Sequence, residues 1–135
     1  MRNILFLLFP FLLMSALLTG SGCKKEHSTS SSSEADLRIT TDAAALSYSP
    51  ASNFNFTVTV ESIMPEKGVR IVYEVYGEAD NQAYPQGPVV ESTTKSTPIS
   101  LTNLPRQKIC VCIVTVTSKT KSANTASTNF RVVFK

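Results

Sequence analysis

Tryptophan is absent from the chain, and the single histidine, His27, sits in a run of serines. Ser-His-Asp or Cys-His catalysis needs an imidazole that the fold holds against its nucleophile, and a serine-rich stretch provides no such placement. The five glycines form no phosphate-cradling loop. No stretch of useful length carries helical periodicity, and no internal repeat is visible. Cys110 and Cys112 have no companion ligands at zinc-type spacing, so a metal site is not expected. Glu74, Glu78 and Asp80 could pair for acid–base work but read as a solvated loop. The run Glu78-Ala-Asp80-Asn81 lacks the Asp-x-Asp-x-Asn-Gly spacing of a calcium loop. Charge is equally uninformative: the formal net charge is +3, and setting Arg2 aside lowers it by one. That balance gives no electrostatic footprint for nucleic acid. No catalytic residue and no cofactor are expected.

What is present begins at the amino terminus. Arg2 precedes an apolar run from Ile4 to Leu18 of about 15 residues, the length of a secretory leader. A spanning helix needs roughly 20 apolar residues, and Pro10 would disturb its interior. Gly20-Ser21-Gly22-Cys23 closes the run. One reading has ordinary cleavage near Gly20 or Gly22, leaving Cys23 as a free thiol. The other is that Ser21-Gly22-Cys23, followed by a polar low-complexity stretch, resembles the cleavage site of bacterial lipoproteins. Gly20 stands where that family usually carries leucine. The resemblance implies residues 1–22 as a signal peptide and a covalent lipid, palmitate among its chains, on Cys23. Several acyl chains at about 0.8 kcal/mol per buried methylene anchor stably where one does not. Lys24, in place of an aspartate after the cysteine, implies the outer membrane.

Residues 23–36 read as the lipidated cysteine and a tether. Lys24 to Asp36 holds almost no apolar side chain and cannot offset its own ordering entropy. Such a coil spans on the order of 20 Å.

Residues 37–135 suffice for one domain and are too few for two. Apolar and polar residues alternate at period two along Asn53 to Val60 and Arg70 to Gly77. The pattern returns in the final strand around Phe130 to Phe134. Shorter candidates are Leu37 to Thr41, Val89 to Ser92 and Thr97 to Leu104, and Lys108 to Thr117 reads as a central strand. Asp42 to Leu46 could form one helical turn. Seven short strands separated by turn clusters predict an all-β fold, a single antiparallel seven-stranded β-sandwich of the immunoglobulin class. Leu101-Thr-Asn-Leu104-Pro105 followed by Ile109 to Thr117 resembles the E strand, corner and F strand of a fibronectin type III domain. Asn129 to Phe134 resembles its last strand. The usual strand-B tryptophan is missing, and Ile109 or Cys110 stands at the corner tyrosine.

On a strand, Cys110 and Cys112 lie about 6.6–6.8 Å apart on one face with parallel side chains, poorly placed to bridge. Alternation with Thr115 and Thr117 outward turns both thiols inward as small core residues. A thiol-redox pair remains the competing reading. Ile109, Val111 and Ile113 then face outward, beside Val72, Tyr76 and Val133. An apolar stripe on an open sheet face is a docking surface for an envelope protein partner, unless a loop such as Ala79 to Gly87 folds over it or an assembly hides it. A glycan-binding module is the alternative, with Tyr76 and Tyr84 as its stacking platform. The expectation is a non-enzymatic, lipid-anchored binding or scaffold module.

Overall fold

The structure, a computed structural model, describes residues 33–135. The leader, Cys23, His27 and most of the tether lie outside the described residues. Nine strands form in chain order: β1 (Ile39–Thr41), β2 (Leu46–Ser49), β3 (Phe54–Val60), β4 (Val69–Gly77), β5 (Ala83–Tyr84), β6 (Val90–Ser92), β7 (Ser96–Leu101), β8 (Ile109–Ser118) and β9 (Thr125–Phe134). They make two sheets. The smaller runs β1-β3-β7 and the larger β2-β9-β8-β4-β5, with β6 also paired to β4.

Strict alternation is what lets two sheets close on each other. In β3, Phe56, Val58 and Val60 are buried, while β4 contributes Val69, Ile71, Tyr73 and Val75. In β8, Cys110, Cys112, Val114 and Val116 turn inward. These side chains meet Ile99, Leu101, Phe130 and Val132 in one core between the two sheets. Three phenylalanines tie the layers: Phe130 of β9 stands edge-on to Phe56 at 4.9 Å between ring centroids and tilts against Phe54 at 5.9 Å. Phe54 and Phe56 belong to the opposite sheet. Such contacts add to the burial of large apolar rings.

The fold is all-β, but the expected seven antiparallel strands become nine, one pair of them parallel. Asp42 to Leu46, where a helical turn was conceivable, forms none, and β2 starts at its last residue. It runs parallel to β9, from Leu46 opposite Arg131 to Ser49 opposite Phe134. Its inward residues are Ser47 and Ser49, whose hydroxyls donate to the carbonyls of Ala44 (3.3 Å) and Asn53 (2.5 Å). Hydroxyls satisfied in this way allow a strand to face a core without an apolar signature. β9 begins five residues before Phe130. Its polar half is held by the hydroxyl pairs Thr115–Ser127 and Thr117–Thr125, each at 3.1 Å.

Gly68, at φ +78°, turns the chain into β4, and a Cβ there would lie 2.4 Å from the Ser92 carbonyl oxygen. Glu34 and Ala35 are already bound to the domain. Asn124, in the β8–β9 connection, donates to Glu34 Oε1 (2.5 Å) and to the Ala35 carbonyl (2.9 Å), and accepts from Leu37 N–H (2.8 Å). Ser118 Oγ donates to Glu34 Oε2 at 3.0 Å. The chain therefore joins the domain at the end of the sheet where β8 stops and β9 starts.

Replacing Phe130 with alanine should remove the inter-sheet ring cluster and cost about 3–5 kcal/mol. Urea unfolding of the variant measures this, and a loss below about 1 kcal/mol would show that the layers are held elsewhere.

Candidate functional site

The side of β8 that faces away from the core is apolar over its first half. Ile109 is 41% and Ile113 37% exposed, with Val111 half-buried between them. Register places their neighbours. Val133 of β9 lies opposite Ile109, and Tyr48 of β2 opposite Val133. Val111 sits between Arg131 and Tyr76, and Ile113 between Asn129 and Glu74. Farther along, the same face changes to Thr115, Ser127, Thr117 and Thr125, with Val72 beside Thr115. The open face of the larger sheet is thus apolar at one end and hydroxylated at the end where the chain joins.

One expectation and two alternative readings need correction. Val133 lies on this face but is only 8% exposed, and it takes no part in the core between the sheets. Tyr48 and Ile109 flank it on both sides, so it supports the surface rather than presenting itself. Tyr76 and Tyr84 do not form one platform. Tyr76 pairs with Ala83 and Tyr84 with Val75, which points inward, so the tyrosines lie on opposite faces. Tyr84 packs against the core, and its hydroxyl accepts from Lys108 Nζ at 3.4 Å. The segment Ala79 to Gly87 does not fold over the face. It adds β5 to the edge of β4 and extends the sheet instead.

One prominent residue had no signal in the sequence. Tyr48 is 55% exposed, and the Lys135 ammonium stands 3.9 Å from its ring centroid, a cation–π contact. It belongs to β2, a strand whose alternation is written in serines and therefore invisible to a hydropathy reading.

The charged groups around the apolar end are engaged in pairs. Arg131 reaches Glu78 at 3.3 Å and Lys108 reaches Asp80 at 2.9 Å, all of them exposed. The Lys108 ammonium holds the Asp80 carboxyl below its ordinary range, and Asp80 in turn raises Lys108. Both stay charged at neutral pH, a poor basis for proton transfer. The Glu74 carboxylate beside Tyr76 pushes that phenol upward. A cleft of about 290 Å³ lies between the Gly77–Asp80 turn and Gln107–Ile109, at the apolar end of the sheet. Among the described residues, no cluster of three or more His, Cys, Asp or Glu could hold a metal ion.

Cys110 and Cys112 are free thiols buried on the inner face of β8. Burial raises both above the ordinary thiol value, and Cys112 is pushed up to about 12. A thiol in that state is a poor nucleophile and a poor metal ligand.

The β7 edge offers less than the face. Thr57, opposite Pro98 of β7, gives its N–H to Asp42 Oδ1 (2.7 Å) and accepts Asp42 N–H at its carbonyl (3.3 Å). Its ladder bonds therefore run away from β7, and the backbone of Pro98 faces the free edge without a donor. Thr94 Oγ1 donates to the Ser96 carbonyl (3.0 Å), and the Gln86 side-chain amide both donates to and accepts from Thr102 backbone groups at 2.9 Å. Pro98 and these side chains blunt the edge against strand addition. No protein-family model matches the chain, and no curated protein matches its sequence.

Because folding raises the Cys112 thiol from 9.0 to about 12, its contribution to stability is complete below the unfolded value and is lost as pH rises from there toward 12. Urea midpoints between pH 8 and pH 11 should fall, and fall less in Cys112→Ala; identical slopes would contradict the burial account.

Proposed function

We propose that this chain is a non-enzymatic outer-membrane lipoprotein, lipidated at Cys23, whose sandwich is a binding or scaffold module for a protein of the envelope. The observation that carries the reading is the uncovered apolar row of Ile109, Val111 and Ile113, framed by Tyr48 and Tyr76 on an open sheet face. Contiguous apolar surface of this kind, bordered by charged residues, is the mark of a protein contact. The blunted β7 edge favours contact through the face over contact by strand addition.

The sandwich reads as immunoglobulin-like in its finer detail. β1, β3 and β7 correspond to strands A, B and E, and β4, β8 and β9 to strands C, F and G, the division expected of that class. The parallel β2 then completes the second sheet beside G. Fold likeness of this order carries no activity, so the functional reading rests on the surface.

The anchor and the face can be tested in one strain. Cells grown with labelled palmitate should incorporate it into the wild-type chain and not into Cys23→Ser. In mild detergent, the wild-type chain should migrate in native gels as part of a larger species that Ile113→Asp releases and Ile63→Asp, in the β3–β4 connection away from this face, does not. An unlabelled wild type would overturn the lipoprotein reading, and a species unaffected by Ile113→Asp would overturn the docking face.

A further inference from the structure

We propose that the protein partner of this face is a second copy of the chain: two copies pack face to face about a two-fold axis parallel to the strands, between β8 and β9. The inference rests on the reading of that face as a docking surface, and it is carried by three features.

The first is the distribution of charge across the sheet. Arg131 and Lys135 lie on the β9 side, and Glu74 and Glu78 on the β4 side, with the apolar side chains of β8 between them. A two-fold axis along the strands sets the β9 side of one copy against the β4 side of the other, at the same height. Ile109 then meets the partner's Val133, and Arg131 meets the partner's Val111, with the partner's Glu74 and the partner's Glu78 one strand aside, above and below its height and within reach of its long side chain. The Arg131–Glu78 pair, which within one chain must span β8, has a counterpart of matching sign across the interface. On the same face Arg70 already has Glu91 as its register neighbour and adds no unpaired charge to the contact.

The second feature is size. Four strands about 4.8 Å apart, with two outward positions on β2, four on β4 and five each on β8 and β9, give a footprint of roughly 500 Å² per copy, or about 1,000 Å² in total, the size of a weak interface that confinement to one membrane supports.

The third is where the chain joins the domain. The Asn124–Glu34 and Ser118–Glu34 bonds fix that junction at the far end of β8 from Ile109. A two-fold axis parallel to the strands keeps both junctions at the same end, so two lipidated cysteines on tethers of on the order of 20 Å reach one bilayer. An axis across the strands would send the anchors to opposite ends. Confinement to one membrane also raises the effective concentration of each copy for the other.

The test uses the full chain in its own membranes, carrying Asn129→Cys as a cross-linking site near the axis and treated with a short bis-maleimide. The unsubstituted chain controls for Cys110 and Cys112. The expected result is a conjugate of twice the chain's mass. It should be lost in Arg131→Glu and recovered when Glu74→Arg and Glu78→Arg are added to that variant. Circular dichroism of each purified variant confirms that the exposed substitutions leave the sheet intact. A doubled conjugate indifferent to Arg131→Glu overturns the charge-matched pairing. Protection of position 129 from mono-maleimide without a doubled conjugate, or a conjugate with a protein of another mass, overturns self-association and leaves the docking face standing. Free labelling without any conjugate overturns both.

Discussion

β8 is the constraint on which the structure turns. It is ten residues long, paired along its length to β4 on one side and β9 on the other. Its inward side chains, from Cys110 to Val116, form the middle of the core. A strand so placed has only two faces, and period two assigns each residue to one of them without choice. Once Val114 and Val116 must be inside, the thiols follow them and Ile109, Val111 and Ile113 go outside. The same geometry that makes Cys110 and Cys112 chemically quiet creates the exposed apolar row. Core and candidate surface are two consequences of a single register.

The rest of the domain accommodates that register. The three-stranded sheet supplies the opposing layer, with Phe54 and Phe56 against Phe130. Among the described residues, no buried side-chain nitrogen or oxygen lacks a hydrogen-bond partner. The hydroxyls of Ser47, Ser49 and Ser118 are satisfied by backbone or by Glu34. Polar satisfaction of this kind gives one well-defined packing, and it leaves the open face as the surface where apolar groups meet solvent in strength.

How much of this was legible in the sequence follows from what alternation can encode. β3, β4 and β8 were readable because large apolar residues mark their inner faces. β2 was not, because Ser47 and Ser49 fill its inward positions, and Asp42 to Leu46 is rich in alanine. Missing β2 meant missing Tyr48, and with it the reason that Val133 is covered. The first half of β9 escaped notice because Thr125 and Ser127 look like loop residues until their cross-strand partners on β8 are known. β5 is too short for any pattern, so Tyr84 read as a loop residue rather than as a core-facing one. The apolar row on β8 was legible because it depends only on parity along one strand. Its charged border was not, because Arg131 and Glu78 are 53 residues apart in the chain.

The central claim is that the apolar half of this face is covered in the envelope. Hydroxyl-radical footprinting addresses it directly by comparing oxidation of Tyr48, Ile109 and Ile113 in intact envelopes with that in the purified chain diluted in detergent until it migrates as a monomer. The account predicts strong protection of these three in the envelope, with unchanged reactivity at Ile63, which is 76% exposed in the β3–β4 connection. Equal oxidation of the three in both preparations would contradict it.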